Sequence, residues 1–182
     1  MVLVVAAVGT SGSGKTIAIE YLINRFSEEG YSVGAIKHIP HRDFSMDREG
    51  TNTWRYAQAG SKVVVAISPH EIDIIKKTER ELKDLNQILA LLEKDRLQVV
   101  FIEGFHNLTA KRADIFKIVT AKNQEELRRT LEGAVPPVLA VTGLVCQDAT
   151  EISFGEVPFI KVPQEGEKLY QLIRAQLEKS VS

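Results

Sequence analysis

What the chain has little of narrows the reading first. A single cysteine, Cys146, in 182 residues excludes an internal disulfide framework and fits a reducing compartment. No partner at metal-ligand spacing accompanies it, so it reads as a small buried hydrophobe. Excess charge of one sign is missing too. The 23 Lys and Arg against 24 Asp and Glu leave a formal net charge of -1, which points to neither a nucleic acid nor a membrane surface as partner. The opening apolar run, residues 2–8, is too short to span a bilayer and has no basic leader, so it is expected as a strand, not a signal peptide. A cytoplasmic protein is the expectation. Repeats, linkers and low-complexity segments are absent, and a single domain over 1–182 follows. With 44% hydrophobic and 26% charged residues, the chain has an ordinary soluble composition and enough length to bury a core.

Apolar runs alternate with helical patterns along that length. Residues 2–8 are continuously apolar, as in a strand buried on both faces. Ile17, Leu22, Ile23 and Phe26 form a stripe on a helix that Gly30 stops. Strands are expected at 32–37, 62–67, 99–102, 115–120, 138–142 and 159–162, with 71–76 alternating in a way that suits pairing beside 62–67. Helices are expected at 51–59, at 82–92 on the face of Leu85, Ile88, Leu89 and Leu92, at 124–131, and at the close, where Leu169, Leu172, Ile173 and Leu177 line up. The polar stretch 38–50 shows no period and is expected as a loop. Strands alternating with helices predict an α/β fold, three-layered, with a mostly parallel sheet and helices on both faces.

Between the first strand and first helix stands Gly9-Thr10-Ser11-Gly12-Ser13-Gly14-Lys15-Thr16. It matches G-x-x-x-x-G-K-[ST], the phosphate-binding loop, in the required strand–helix setting. The pattern turns up by chance in on the order of one chain in a hundred of this length, before that setting is demanded. Glycines let the backbone wrap so that consecutive N–H groups face a phosphate. The helix start adds unpaired N–H groups and a positive dipole end. Gly9, Ser11, Gly12, Ser13, Gly14, Lys15 and Thr16 are the candidate nucleotide-binding residues, Lys15 as a point charge on the outer phosphates and Thr16 as a hydroxyl for Mg²⁺.

Such a cradle needs a carboxylate on the metal side and a segment that senses the last phosphate. In open α/β sheets both belong at the carboxyl ends of neighbouring strands. Glu103, followed by Gly104, closes the strand 99–102; Asp43 and Asp47 lie in the loop after the second strand, where Asp47 to Gly50 reads D-x-x-G. His38 and His41 lie in the same loop and suit hydrogen bonding or substrate contact better than metal ligation, because a three-residue spacing in a loop does not fix them on one face. His106 is a candidate to line the same cleft.

Taken together and in order, the octet, Ile36-Lys37-His38 with His41, Asp47 to Gly50, Arg55, Ala59-Gly60 and Glu103-Gly104-Phe105 resemble the molybdopterin-guanine dinucleotide biosynthesis protein B family. The resemblance runs over about 2–119. It implies a P-loop protein resembling GTPases, usually a homodimer, with weak Mg²⁺-dependent GTP hydrolysis. Its role would be to assist the guanylyltransferase partner that joins GMP to molybdopterin, with molybdopterin itself a candidate ligand. By the same resemblance, Lys15, Asp47 and Glu103 are the catalytic candidates. Thr16, Glu103 and Asp47 form the Mg²⁺ side, and His38, His41, Asn52 and Arg55 a loop toward cofactor or partner. Where the family commonly reads G-K-D-[ST], this chain has Gly50-Thr51-Asn52-Thr53, two charges replaced by neutral hydrogen-bonding groups.

No N-K-x-D tetrapeptide reads guanine here. Thr120-Ala121-Lys122-Asn123 resembles it faintly, and Thr142 and Asp148 fall where base contacts belong, so GTP rests on the family resemblance. Three other readings stay open. One is an ATP-dependent small-molecule kinase using Asp43 or Asp47 as base, against which no arginine-rich lid appears late in the chain. Another is a metal-delivery GTPase with His38, His41 and Asp43 as cargo site, although Cys-x-x-Cys and histidine tracts are absent. The last is a binding module that uses nucleotide only to shape a surface.

Overall fold

The computed structural model describes residues 2–41, 43–147 and 155–181. In chain order the strands and helices begin with β1 (Leu3–Val8), α1 (Lys15–Glu28), β2 (Val33–Lys37), α2 (Asn52–Gln58), β3 (Val63–Ile67), β4 (Ile72–Lys76) and α3 (Leu85–Leu89). They continue with β5 (Val99–Glu103), α4 (His106–Thr109), β6 (Phe116–Thr120), α5 (Gln124–Glu132), β7 (Val138–Thr142) and α6 (Gly166–Val181). Short 3-10 turns occupy Ala90–Asp95 and Leu144–Cys146. Two compact units result, one made of Met1–His38 with Asp84–Ser182, the other of Ile39–Lys83. The sequence carries no linker that marks this division. Among the described residues no helix is long and apolar enough to cross a membrane.

The first unit is built on a five-stranded sheet in the order β2-β5-β1-β6-β7, every neighbouring pair parallel. All six residues of β1 are buried, which requires helices on both faces. Successive side chains alternate between those faces. Leu3, Val5 and Ala7 join Leu22 and Phe26 of α1 and Leu169, Tyr170 and Ile173 of α6 in one core. Val4, Ala6 and Val8 join Leu85 and Ile88 of α3 and Leu127 of α5 in the other. This is the expected three-layer α/β architecture.

Three local expectations are corrected. On α1 the buried stripe is Ala18, Ile19, Leu22 and Phe26, while Ile17 is 55% exposed, because the helix starts at Lys15 and turns Ile17 outward. The helix expected over 82–92 begins only at Leu85, where the Asp84 side chain accepts from the Asn86 N–H at 2.9 Å, and tightens into a 3-10 turn from Ala90. Residues 159–162 do not form a full strand. Phe159 makes an isolated bridge to Val141, and Pro158 and Pro163, which lack N–H donors, bracket the segment.

Chain order and sheet order together fix where a ligand belongs. From β1 the chain leads outward to β2; from its neighbour β5 it leads the opposite way, to β6. Divergent connections open a crevice at the carboxyl ends of β1 and β5. The octet follows β1, and Glu103 ends β5.

The second unit holds α2 and a separate antiparallel pair, β3–β4. Register pairs Val65 with Ile74 and Ile67 with Ile72, so Val63, Val65, Ile67, Ile72 and Ile74 share one face. All five are exposed, from 49% to 76%. On the opposite face Val64 is buried.

Candidate functional site

The octet turns sharply where β1 ends. A Cβ at Gly9 would fall 2.1 Å from the Thr120 carbonyl oxygen, so no other residue fits between β1 and β6. Gly14 is the N-cap of α1 at φ 106°, a left-handed conformation that favours glycine. The local contrast is informative. Thr51, Asp84 and Asn123 cap α2, α3 and α5 with side-chain oxygens. α1, like the single-turn α4, has no side-chain cap, and no acidic residue lies in its first turn. Its first N–H groups are therefore left for another acceptor, and an anion is what a bare helix start following a glycine loop accepts best.

Around that loop the side chains are ordered by hydrogen bonds. Ser13, fully buried, shares a 2.6 Å hydrogen bond with the Thr120 hydroxyl and donates to the Thr10 carbonyl at 2.8 Å. Thr10 donates to Glu126 at 2.8 Å. This bond, with a second from the Lys122 N–H at 3.1 Å, holds the Glu126 carboxyl below the ordinary glutamate range. Ser11 and Gly12 are exposed. A cavity of about 190 Å³ beside the loop is lined by Gly9, Thr10, His106 and Arg129 among others, which is where His106 falls.

Lys15 and Thr16 begin α1. The Lys15 ammonium donates to the carbonyls of Gly9 at 3.1 Å and Thr10 at 2.5 Å. Burial lowers its pKa below the usual lysine value, Lys37 and Lys122 push the same way, and Glu103 and Glu126 oppose. The Thr16 hydroxyl lies 3.1 Å from both oxygens of Glu103. Glu103 also takes an ion pair from Lys37 at 3.1 Å. A hydroxyl and a carboxylate together form an oxygen donor set suited to a hard cation.

His38 lies beside this group: its N–H donates to the Glu103 carbonyl at 2.8 Å, and its ring stacks on Phe105 with centroids 4.2 Å apart. The remaining sequence candidates belong to the second unit. There Asp47 Oδ1 accepts from Thr53 at 2.9 Å and lies 3.0 Å from the Thr51 hydroxyl. Asp47 Oδ2 is buried without a hydrogen-bond partner among the described residues. Thr51 Oγ1 accepts from the Trp54 N–H at 3.2 Å, so the residue standing in place of the family's lysine starts α2. Asn52, Arg55, Asp43 and His41 are exposed. Asp148 lies outside the described residues. Among the described residues no three His, Cys, Asp or Glu side chains gather to hold a metal. Lys122 and Asn123 of the faint guanine-like tetrapeptide serve the loop's frame, Asn123 as the cap of α5.

Two contacts escaped the sequence reading, although Lys37 belongs to the Ile36-Lys37-His38 run that carries the family resemblance. Lys37 reaches Glu103 through strand pairing across 66 residues. Gly143 packs against the loop so closely that a Cβ would stand 2.1 Å from the Ser13 carbonyl oxygen; the signal for it was a glycine directly after a buried strand.

A parallel α/β sheet with this loop at the switch point defines a P-loop nucleotide-binding fold. The chain belongs to the family described as molybdopterin guanine dinucleotide synthesis protein B, whose sequence model matches residues 4–138. A putative molybdopterin-guanine dinucleotide biosynthesis adapter protein of Methanocaldococcus jannaschii is 33% identical over 122 residues, 67% of this chain. That match spans only 48% of the relative's length. The adapter protein of Haemophilus influenzae is 31% identical over 133 residues, covering 73% of this chain and 70% of the relative. In structure, Bacillus subtilis MobB superposes with a TM-score of 0.72 over 93% of this chain and 97% of its own, at 24% identity, a likeness of fold.

Proposed function

We propose that this chain is a GTP-binding adapter in molybdenum cofactor biosynthesis, assisting the guanylyltransferase that joins GMP to molybdopterin. Family membership and the adapter names of the relatives support the pathway. The observation that carries the nucleotide is the bare start of α1, with no side-chain cap, following the glycine loop. On this reading, loop amides from Gly9 to Gly14 and the Lys15 ammonium grip the polyphosphate. Thr16 and Glu103 hold Mg²⁺, which when bound neutralises charge on the phosphate oxygens. Asp47, His38, His41, Asn52 and Arg55 serve the switch and partner side. Hydrolysis is slow, the protein is cytoplasmic, and it works as a homodimer that covers the exposed face of β3–β4.

Competition between GTP and ATP in the presence of Mg²⁺, repeated with molybdopterin, tests the assignment. Preference for GTP supports it. Preference for ATP with phosphorylation of a small acceptor would replace it with a kinase.

A further inference from the structure

Lys37 is the last residue of β2, the edge strand, and pairs in register with Glu103 on β5. Parallel neighbours at one register position send their side chains to the same face, and the two side chains meet at 3.1 Å. The partners differ in freedom. The Glu103 side chain is 16% exposed and that of Lys37 is 56% exposed. The backbone around Lys37 is fixed, by the β2–β5 ladder before it and by the His38 N–H to the Glu103 carbonyl after it. The His38–Phe105 stack holds the next residue in place. Only the flexible four-carbon stem remains free to swing.

The carboxylate has a second commitment. Thr16 lies 3.1 Å from both of its oxygens, and this pair is the oxygen set for a divalent cation in the reading above. A solvated lysine–carboxylate pair is weak on its own. Once Glu103 faces such a cation, Lys37 meets repulsion where it had attraction. A mobile ammonium at this end of β2 then turns to the anion remaining on the same side, the end of the polyphosphate.

We infer that Lys37 exchanges Glu103 for the terminal phosphate of a bound triphosphate and thereby separates triphosphate from diphosphate; this rests on the nucleotide-binding reading above. A diphosphate has no such terminal phosphate to receive Lys37, so the ammonium gains no new contact there. A contact made in one bound state and not in the other is what can shift the balance between them.

Calorimetric titration of the full chain with GTP and with GDP, both with Mg²⁺, tests this on wild type, Lys37→Met and Lys37→Arg. Lys37→Met is expected to weaken GTP roughly tenfold, about 1.4 kcal/mol, and leave GDP within about twofold. Lys37→Arg keeps the charge and most of the GTP preference. Equal losses for both nucleotides, no change for either, or arginine behaving as methionine does would overturn the assignment. A wild-type chain that binds neither nucleotide overturns the underlying reading as well, and so is told apart from a failure of Lys37 alone.

Discussion

At the scale of single residues, two groups show how environment sets chemistry. Lys15 is a lysine whose charge is disfavoured by burial and whose ammonium is bonded to the carbonyls of its own loop. On the nucleotide-binding reading proposed above, it exchanges these carbonyl partners for phosphate oxygens with little reorganisation of the stem, which is the preorganisation a phosphate site needs. Cys146 is the opposite case, a thiol kept inert. Burial pushes its pKa from 9.0 to about 11, and its sulfur lies 3.6 Å from the Val141 carbonyl. Reaction with a disulfide reagent at neutral pH is therefore expected to be slow in the folded protein and fast after denaturation. The pH dependence follows from the same shift. A folded pKa above the unfolded one means the neutral thiol's contribution is full below about 9 and is lost as pH rises through about 11. Denaturation midpoints measured between those values should fall in wild type and fall less in Cys146→Ala.

At the scale of elements, helix starts are the informative feature. Three helices are capped by their own side chains; the long helix that follows the glycine loop and the single-turn α4 are not. Thr51→Ala should cost about 1 kcal/mol of stability by uncapping α2, seen as a lower denaturation midpoint, with Thr51→Ser close to wild type. Sequence reasoning found what is encoded locally. The octet, the continuous apolar run of β1 and the placing of Glu103 at a strand end are contiguous patterns, and each was legible. Ile17 was misjudged because a stripe depends on where the helix begins, and Gly14 sets that start. The Lys37–Glu103 pair was not legible, since it depends on β2 and β5 lying side by side, a property of topology. The cap formed by Thr51 was hidden for another reason: comparison with the family's lysine drew attention to lost charge, not to a gained cap.

At the scale of the whole molecule, five apolar side chains on one face of β3–β4 stand exposed, more than an isolated two-stranded sheet ordinarily presents to water. With the homodimer proposed above, Ile74→Glu should shift the sedimentation profile from dimer to monomer, and an unchanged monomer in wild type would remove the dimer from the account. The central claim lies elsewhere, in the loop and helix start that follow β1. It is tested most directly by titrating Mg²⁺ and GTP into wild type and Lys15→Ala, with circular dichroism to establish that both are folded. Loss of a charge-assisted contact to phosphate predicts a drop in affinity of roughly a hundredfold for the variant. A folded Lys15→Ala that binds GTP as tightly as wild type would contradict the account.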